Sequence, residues 1–155
     1  MKKILTACTL FLFLVTNLCC YCEENYDYDG YGLLDKETVS FGANGGVDSI
    51  IIMDRYTGKV QITDAVVFDW HGEEVQKTHC ICNEAKDSVK GDWFTFDKGK
   101  NQNGMEYYKI TVCPNTTGLN RYARINVQSS DSVFQDEIVG MIPVKDIIEI
   151  YQDAR

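Results

Sequence analysis

Proline is nearly missing from this chain, with two residues in 155. That excludes a Pro-rich spacer or a long polyproline segment. Histidine is as scarce, at His71 and His79. Neither lies in a G-x-S-x-G or zinc-protease setting, so general-base and zinc hydrolase chemistry have little to work with. Basic residues are outnumbered, 15 Lys and Arg against 23 Asp and Glu, for a net charge of −8. A chain of that sign lacks the electrostatic footprint of a nucleic-acid binder and does not adhere to an anionic membrane by charge. No apolar run reaches the ~20 residues that span a bilayer, and no long stretch keeps a helical stripe. What is present, a 45% hydrophobic composition, is that of a folded chain of one domain.

The N-terminus reads as an address. Lys2 and Lys3 precede an apolar run over residues 4–15, the layout of a secretory signal. Residues 1–19 are assigned to it. Cys19, Cys20 and Cys22 follow at once, as in a bacterial lipoprotein, whose mature chain begins at an acylated cysteine. Cys20, preceded by the small Cys19, is the expected lipidation site. The expected location is therefore exported and lipid-anchored to the outer membrane, surface-exposed, with the lipid as the sole membrane contact. Residues 20–36, acidic and rich in Tyr and Gly, are expected to form a flexible tether. The folded domain is expected over 37–155.

Beyond the tether the hydrophobic period is two. Short alternating or β-branched runs occur at 38–41, 47–53, 60–68, 75–82, 93–96, 107–113, 121–127 and 146–152, with Gly/Asn/Pro turns such as GANGG (42–46), KGKNQNG (98–104) and PNTTG (114–118) between them. Strands recurring about every ten residues predict an all-β sandwich. Trp93, Phe41, Ile51, Ile110, Val112, Ile125 and Ile150 form the expected core.

Four segments carry a family likeness: TVSFGANGGVDSIII (38–52), GDWFTF (91–96), KITVCPNTTGLNRYARINV (109–127) and IIEIYQDA (147–154). Together they resemble the BACON domain, the Bacteroidetes-associated carbohydrate-binding, often N-terminal module. The most specific part is P-N-T-T-G-x-x-R with the closing I-x-I-x-Q. The pattern departs at 55–90, longer than the usual connection, and at 129–145, an excursion before the last strand. The resemblance implies an immunoglobulin-like antiparallel β-sandwich and a non-catalytic role, with a glycan such as mucin or a polysaccharide, or a host or cell-surface protein, as partner, and no nucleic acid. A structural or protein-interaction sandwich without a sugar site is the alternative. Glu23-Glu24 after the lipid cysteine is similar to a Bacteroidetes surface-export signal. Asp48-Ser49-Ile50, Asp87-Ser88-Val89 and Asp131-Ser132-Val133 are similar to the O-glycosylation pattern of that group.

Sugar binding rests on an aromatic face against a pyranose C–H face, with amides or carboxylates on its hydroxyls. Trp70 precedes the probable His71-Gly72 turn and is flanked by Asp69 and Glu73. Trp70, Asp69, His71, Glu73 and Tyr56 are the candidate ligand-binding set, although Trp70 also suits a role capping the sandwich edge. No catalytic residue, metal or cofactor is expected. His79-Cys80-Ile81-Cys82 is the densest ligand cluster, but Cys-x-Cys is not a common zinc spacing. Export favours a disulfide; Cys80 and Cys82 lie about 6.6 Å apart on an extended strand, near the geometric limit, and Cys113 is the better partner for either.

Overall fold

The computed structural model describes residues 32–71, 74–134 and 141–155, with the backbone alone at 70, 71, 74, 131–134, 141 and 142. Ten strands form in chain order: β1 (Thr38–Phe41), β2 (Gly46–Ile51), β3 (Val60–His71), β4 (Glu74–His79), β5 (Ile81–Cys82), β6 (Ser88–Lys90), β7 (Phe94–Lys100), β8 (Glu106–Val112), β9 (Arg121–Phe134) and β10 (Met141–Gln152). They make two five-stranded sheets, β1-β10-β9-β3-β4 and β2-β8-β7-β6-β5. β1 runs parallel to β10, and the other pairings are antiparallel. The order β10-β9-β3 occupies the G-F-C places of an immunoglobulin domain, and β2-β8-β7 the B-E-D places. The fold is an immunoglobulin-like β-sandwich, as expected, with one parallel pair. The hairpin β5–β6 extends the B-E-D sheet.

Strict alternation decides which face each strand buries. On the first sheet, Ala65 and Val67 of β3, Ala123, Ile125 and Val127 of β9, and Ile148 and Ile150 of β10 turn inward. On the second, Ile50, Phe94, Phe96, Tyr108, Ile110 and Val112 meet them. Six of the seven expected core residues are buried. Ile51 is the exception, 37% exposed, because β2 turns Ile50 and Ile52 inward instead. A run of three isoleucines hides the phase of a period-two pattern.

Two boundaries differ from expectation. The folded unit starts before residue 37: Leu33 and Leu34 are in the core, and both backbone N–H groups donate to Asp146 Oδ2. The acidic composition around them masks this apolar pair. The excursion at 129–145 is largely an extension of the β9–β10 hairpin, paired to Met141↔Phe134, with a register shift between Pro143 and Lys145.

The GANGG turn needs its glycine at one position. Gly45 has φ +71°, and a Cβ there would strike the Val112 carbonyl and the Cys113 backbone. Only glycine combines that conformation with that approach.

Glu106 ties the second sheet to the turn before β3. It accepts from Gly58 N at 2.7 Å and pairs with Lys98 Nζ at 2.9 Å, both side chains largely covered. Burial pushes its carboxyl up, but the Gly58 N–H, Lys98 and Lys100 together outweigh this and hold it below its ordinary value. A depressed carboxyl stabilises the fold above its unfolded pKa, and that contribution disappears as pH falls through the folded one. The urea midpoint is expected to drop below about pH 4.3, and Glu106→Gln is expected to flatten part of that slope. An identical pH profile in the variant excludes Glu106 as a contributor.

Candidate functional site

The register of the first sheet assembles a row across its outer face: Ser40 of β1, Tyr151 of β10, Tyr122 of β9, Phe68 of β3 and Lys77 of β4. Cross-strand neighbours stand about 4.8 Å apart, and the rings follow that spacing. Phe68 and Tyr122 have centroids 5.0 Å apart, and Tyr122 and Tyr151 are stacked at 4.8 Å. Lys77 Nζ lies 5.5 Å from the Phe68 centroid and the Arg124 guanidinium 6.0 Å from it, within cation–π range. Tyr122 and Tyr151 therefore stand face to face on the sheet, with Phe68 tilted against Tyr122. Tyr122 has a ring on each side. Tyr151, 41% exposed, ends the row of rings on the side of β1.

Glu149 joins this row to the next. It accepts from the Tyr122 hydroxyl at 2.6 Å and the Tyr151 hydroxyl at 3.1 Å, and lies 3.5 Å from Arg124 Nη2. The Tyr122 hydroxyl, with Tyr151 and Arg124, holds the Glu149 carboxyl below its ordinary value, against a smaller effect of burial. Burial and then Glu149 itself push the Tyr122 phenol up. At neutral pH this is a carboxylate between two neutral phenols and a guanidinium, a surface able to offer hydroxyls and charge to a ligand.

The hairpin singled out by sequence forms, with Asp69↔Gln76, Trp70↔Val75 and His71↔Glu74 paired in β3 and β4. Trp70 and His71 are strand residues beside the turn, and Asp69 is half-buried. The side chains of Trp70 and His71, Glu73 as a whole, and Cys20 lie outside the described residues. Tyr56 does not belong to a ligand site: it is 4% exposed in a 3-10 turn, Asp54–Tyr56, and packs in the core. The turn reverses the chain, so its one aromatic faces inward. Phe68, Tyr151, Glu149 and Arg124 were not singled out by sequence. The available signal was an aromatic at the outward parity of three strands, but only the register sets the three in line.

The most specific stretch of the family likeness proves to be a clasp. Asn115, fully buried, donates through Nδ2 to the Leu119 carbonyl at 2.7 Å and the Asp153 carbonyl at 2.9 Å. Its Oδ1 accepts from the Thr117 N–H and hydroxyl. Gln152, also buried, donates to the Cys113 carbonyl at 2.7 Å and accepts from Arg121 Nη1 at 3.1 Å. Those residues fasten the loop before β9 to the chain end. The Asn115-Thr116-Thr117 stretch is accordingly a structural turn, with the Asn115 side-chain amide engaged on both carbonyls.

The cysteines do not pair as anticipated. Cys80, Cys82 and Cys113 are free. Cys82 faces Val89, which faces Phe96, which faces Ile110. β5 therefore lies three strand spacings, about 14 Å, from β8, which ends just before Cys113, twice the reach of a disulfide. His79, its side chain 72% exposed, has Nδ1 3.1 Å from Asp64 Oδ1. No group of three or more His, Cys, Asp or Glu among the described residues has metal-binding geometry.

No protein-family model matches the chain, and no curated protein matches it. Among solved structures, the NMR structure of a protein from Bacteroides thetaiotaomicron is similar over 80% of this chain and 81% of that one, at 14% identity and a TM-score of 0.48. Murine CRIg is similar over 79% of this chain and 96% of that one, at 12% identity and a TM-score of 0.34.

Proposed function

We propose that this chain is a non-catalytic binding module of the BACON kind, exported and lipid-anchored through Cys20. Its glycan-binding surface would be the outer face of the β1-β10-β9-β3-β4 sheet and the hairpin beside it. The supporting observation is the partly exposed row Tyr151–Tyr122–Phe68 with Glu149 and Arg124 beside it. Trp70 stands two residues along β3 from Phe68. The chemistry is that of sugar recognition, an apolar ring face next to hydrogen-bonding groups. Stacking of a sugar on a single ring gives weak binding, in the micromolar to millimolar range on the affinity scale.

The test is titration of plant and host polysaccharides into isotope-labelled protein, followed by NMR. Shifts are expected to cluster at Tyr151, Tyr122 and the β3–β4 hairpin. Tyr151→Ala and Trp70→Ala are each expected to weaken binding about tenfold, equivalent to about 1.4 kcal/mol, with the fold intact. Shifts elsewhere, or none with any glycan, would overturn the reading. A second reading, a protein-interaction sandwich with no sugar site, is favoured by one observation: both faces of Tyr122 are taken by its neighbours. Hydroxyls and charges at the ring edges then form an amphipathic surface suited to a protein partner.

A further inference from the structure

The Cys-x-Cys pair lies at the corner where the chain passes between the sheets. β4 belongs to the first sheet and β5 to the second. Cys80, between them, still donates its N–H to the Ala65 carbonyl of β3 at 2.8 Å, whereas Cys82 already pairs with Val89 of β6. Ile81 between them is 86% exposed, while both cysteines are half-buried and pack against the core. The two thiols therefore share the inward side. Fully extended, residues two apart have Cα atoms about 6.6 Å apart, at the upper end of the disulfide range of about 4.4–6.8 Å. Cys80 belongs to neither strand, so the pair straddles the junction between the sheets and is not held within one strand. Cys113 is out of reach of Cys82, three strand spacings away.

We propose that Cys80 and Cys82 form a reversible dithiol/disulfide couple, a modification site whose substrates are low-molecular-weight disulfides. In the forward direction the Cys82 thiolate attacks one sulfur of a small disulfide. A mixed disulfide forms and one small thiolate leaves. The Cys80 thiolate then attacks Cys82 Sγ, closing the Cys80–Cys82 bond and expelling the second small thiolate. Two electrons pass to the small disulfide, and the two protein thiol protons end on the two small thiols. Cys82 is the entry point because it sits on β5, the edge strand of its sheet, and Lys86 offsets part of the upward effect of burial and Asp64 on its thiol. Cys80 has no such cation and is pushed up by burial, Asp92, Cys82 and Asp64. A ring closed over so few residues removes little unfolded-chain entropy, and a bond near its geometric limit is easily reduced. The couple is thus labile and distinct from a structural staple.

The full chain, reduced and then equilibrated with oxidised glutathione, is quenched with an alkylating agent and mapped by peptide mass spectrometry. The expected result is an unalkylated Cys80–Cys82 peptide lacking two hydrogens, reversed by millimolar reduced glutathione, in the protein and in Cys113→Ser alike. In Cys80→Ser, Cys82 is expected to stop at the mixed disulfide with glutathione, a result that does not depend on the bridge itself. Full alkylation of both cysteines after oxidation would overturn the proposal. So would a bridge from either to Cys113, or glutathione retained on Cys82 in the unsubstituted chain.

Discussion

Trp93→Ala is expected to lower the unfolding free energy by about 3–5 kcal/mol, the range for removing a large aromatic from a packed core. The ring is 5% exposed, meets Phe94 edge-on at 4.9 Å and lies under the Arg121 guanidinium at 5.8 Å. Its backbone carbonyl receives the Cys113 N–H at 2.9 Å, joining the start of β7 to the end of β8. Small domains hold about 5–15 kcal/mol in total, so this one truncation removes a large part of it. Urea unfolding gives the measurement: a midpoint shift at constant slope. A change below about 1 kcal/mol would show that Trp93 is not the anchor of this corner. Trp93→Phe separates packing from polarity. The indole N–H finds no partner among the described residues, so the phenylalanine variant is expected to recover more than half the loss.

Asn115→Ala is the second large effect, expected at about 2–4 kcal/mol. The mechanism differs, because little apolar surface is lost. What remains is a set of polar groups without partners, each costing about 1–3 kcal/mol when buried. These are the Thr117 N–H and the Leu119 and Asp153 carbonyls. Water entry at the loop lowers the sum. Asn115→Asp is the sharper variant. It keeps Oδ1 for Thr117 but sets a carboxylate oxygen against two carbonyls. It is expected to be at least as damaging as alanine at neutral pH and to recover as the pH is lowered. If aspartate is tolerated at pH 7, the amide is not bonded as described. Hydrogen exchange at residues 115–120 and 152–154 locates the effect, since the clasp joins these stretches.

The architecture was legible because β-structure advertises itself through alternation. β1, β8 and β9 bury the residues that their period-two patterns single out, from Val39 to Val127, whereas β3 changes phase at its irregularity between Ile62 and Asp64, turning Ala65 and Val67 inward and Phe68 out. Where the pattern fails, the cause is local. Three consecutive isoleucines carry no phase, so Ile51 was placed inside. Leu33-Leu34 is too short to have a period, so the domain was started too late. Cys82 and Cys113 look compatible as sequence, yet strand order puts three spacings between β5 and β8. The candidate site was less legible for the same reason. Phe68, Tyr122 and Tyr151 are scattered along the chain, and only cross-strand register stacks them. Trp70 and its acidic neighbours could be noticed because they are adjacent in sequence, which is a different property from being adjacent in space.

The parallel pairing of β1 with β10, from Thr38↔Glu149 to Phe41↔Gln152, has a kinetic meaning. The bonds from Leu33 N and Leu34 N to Asp146 span 113 and 112 positions. Such contacts close very large loops, and topologies built on them fold slowly. During synthesis the first strand of the domain has no edge to join until the last strand emerges. Until then β1 waits unpaired, and β9 lacks its neighbour on one side. The sandwich thus stays incomplete until β10, residues 141–152, is available, and a truncation removing β10 is expected to abolish it as a whole.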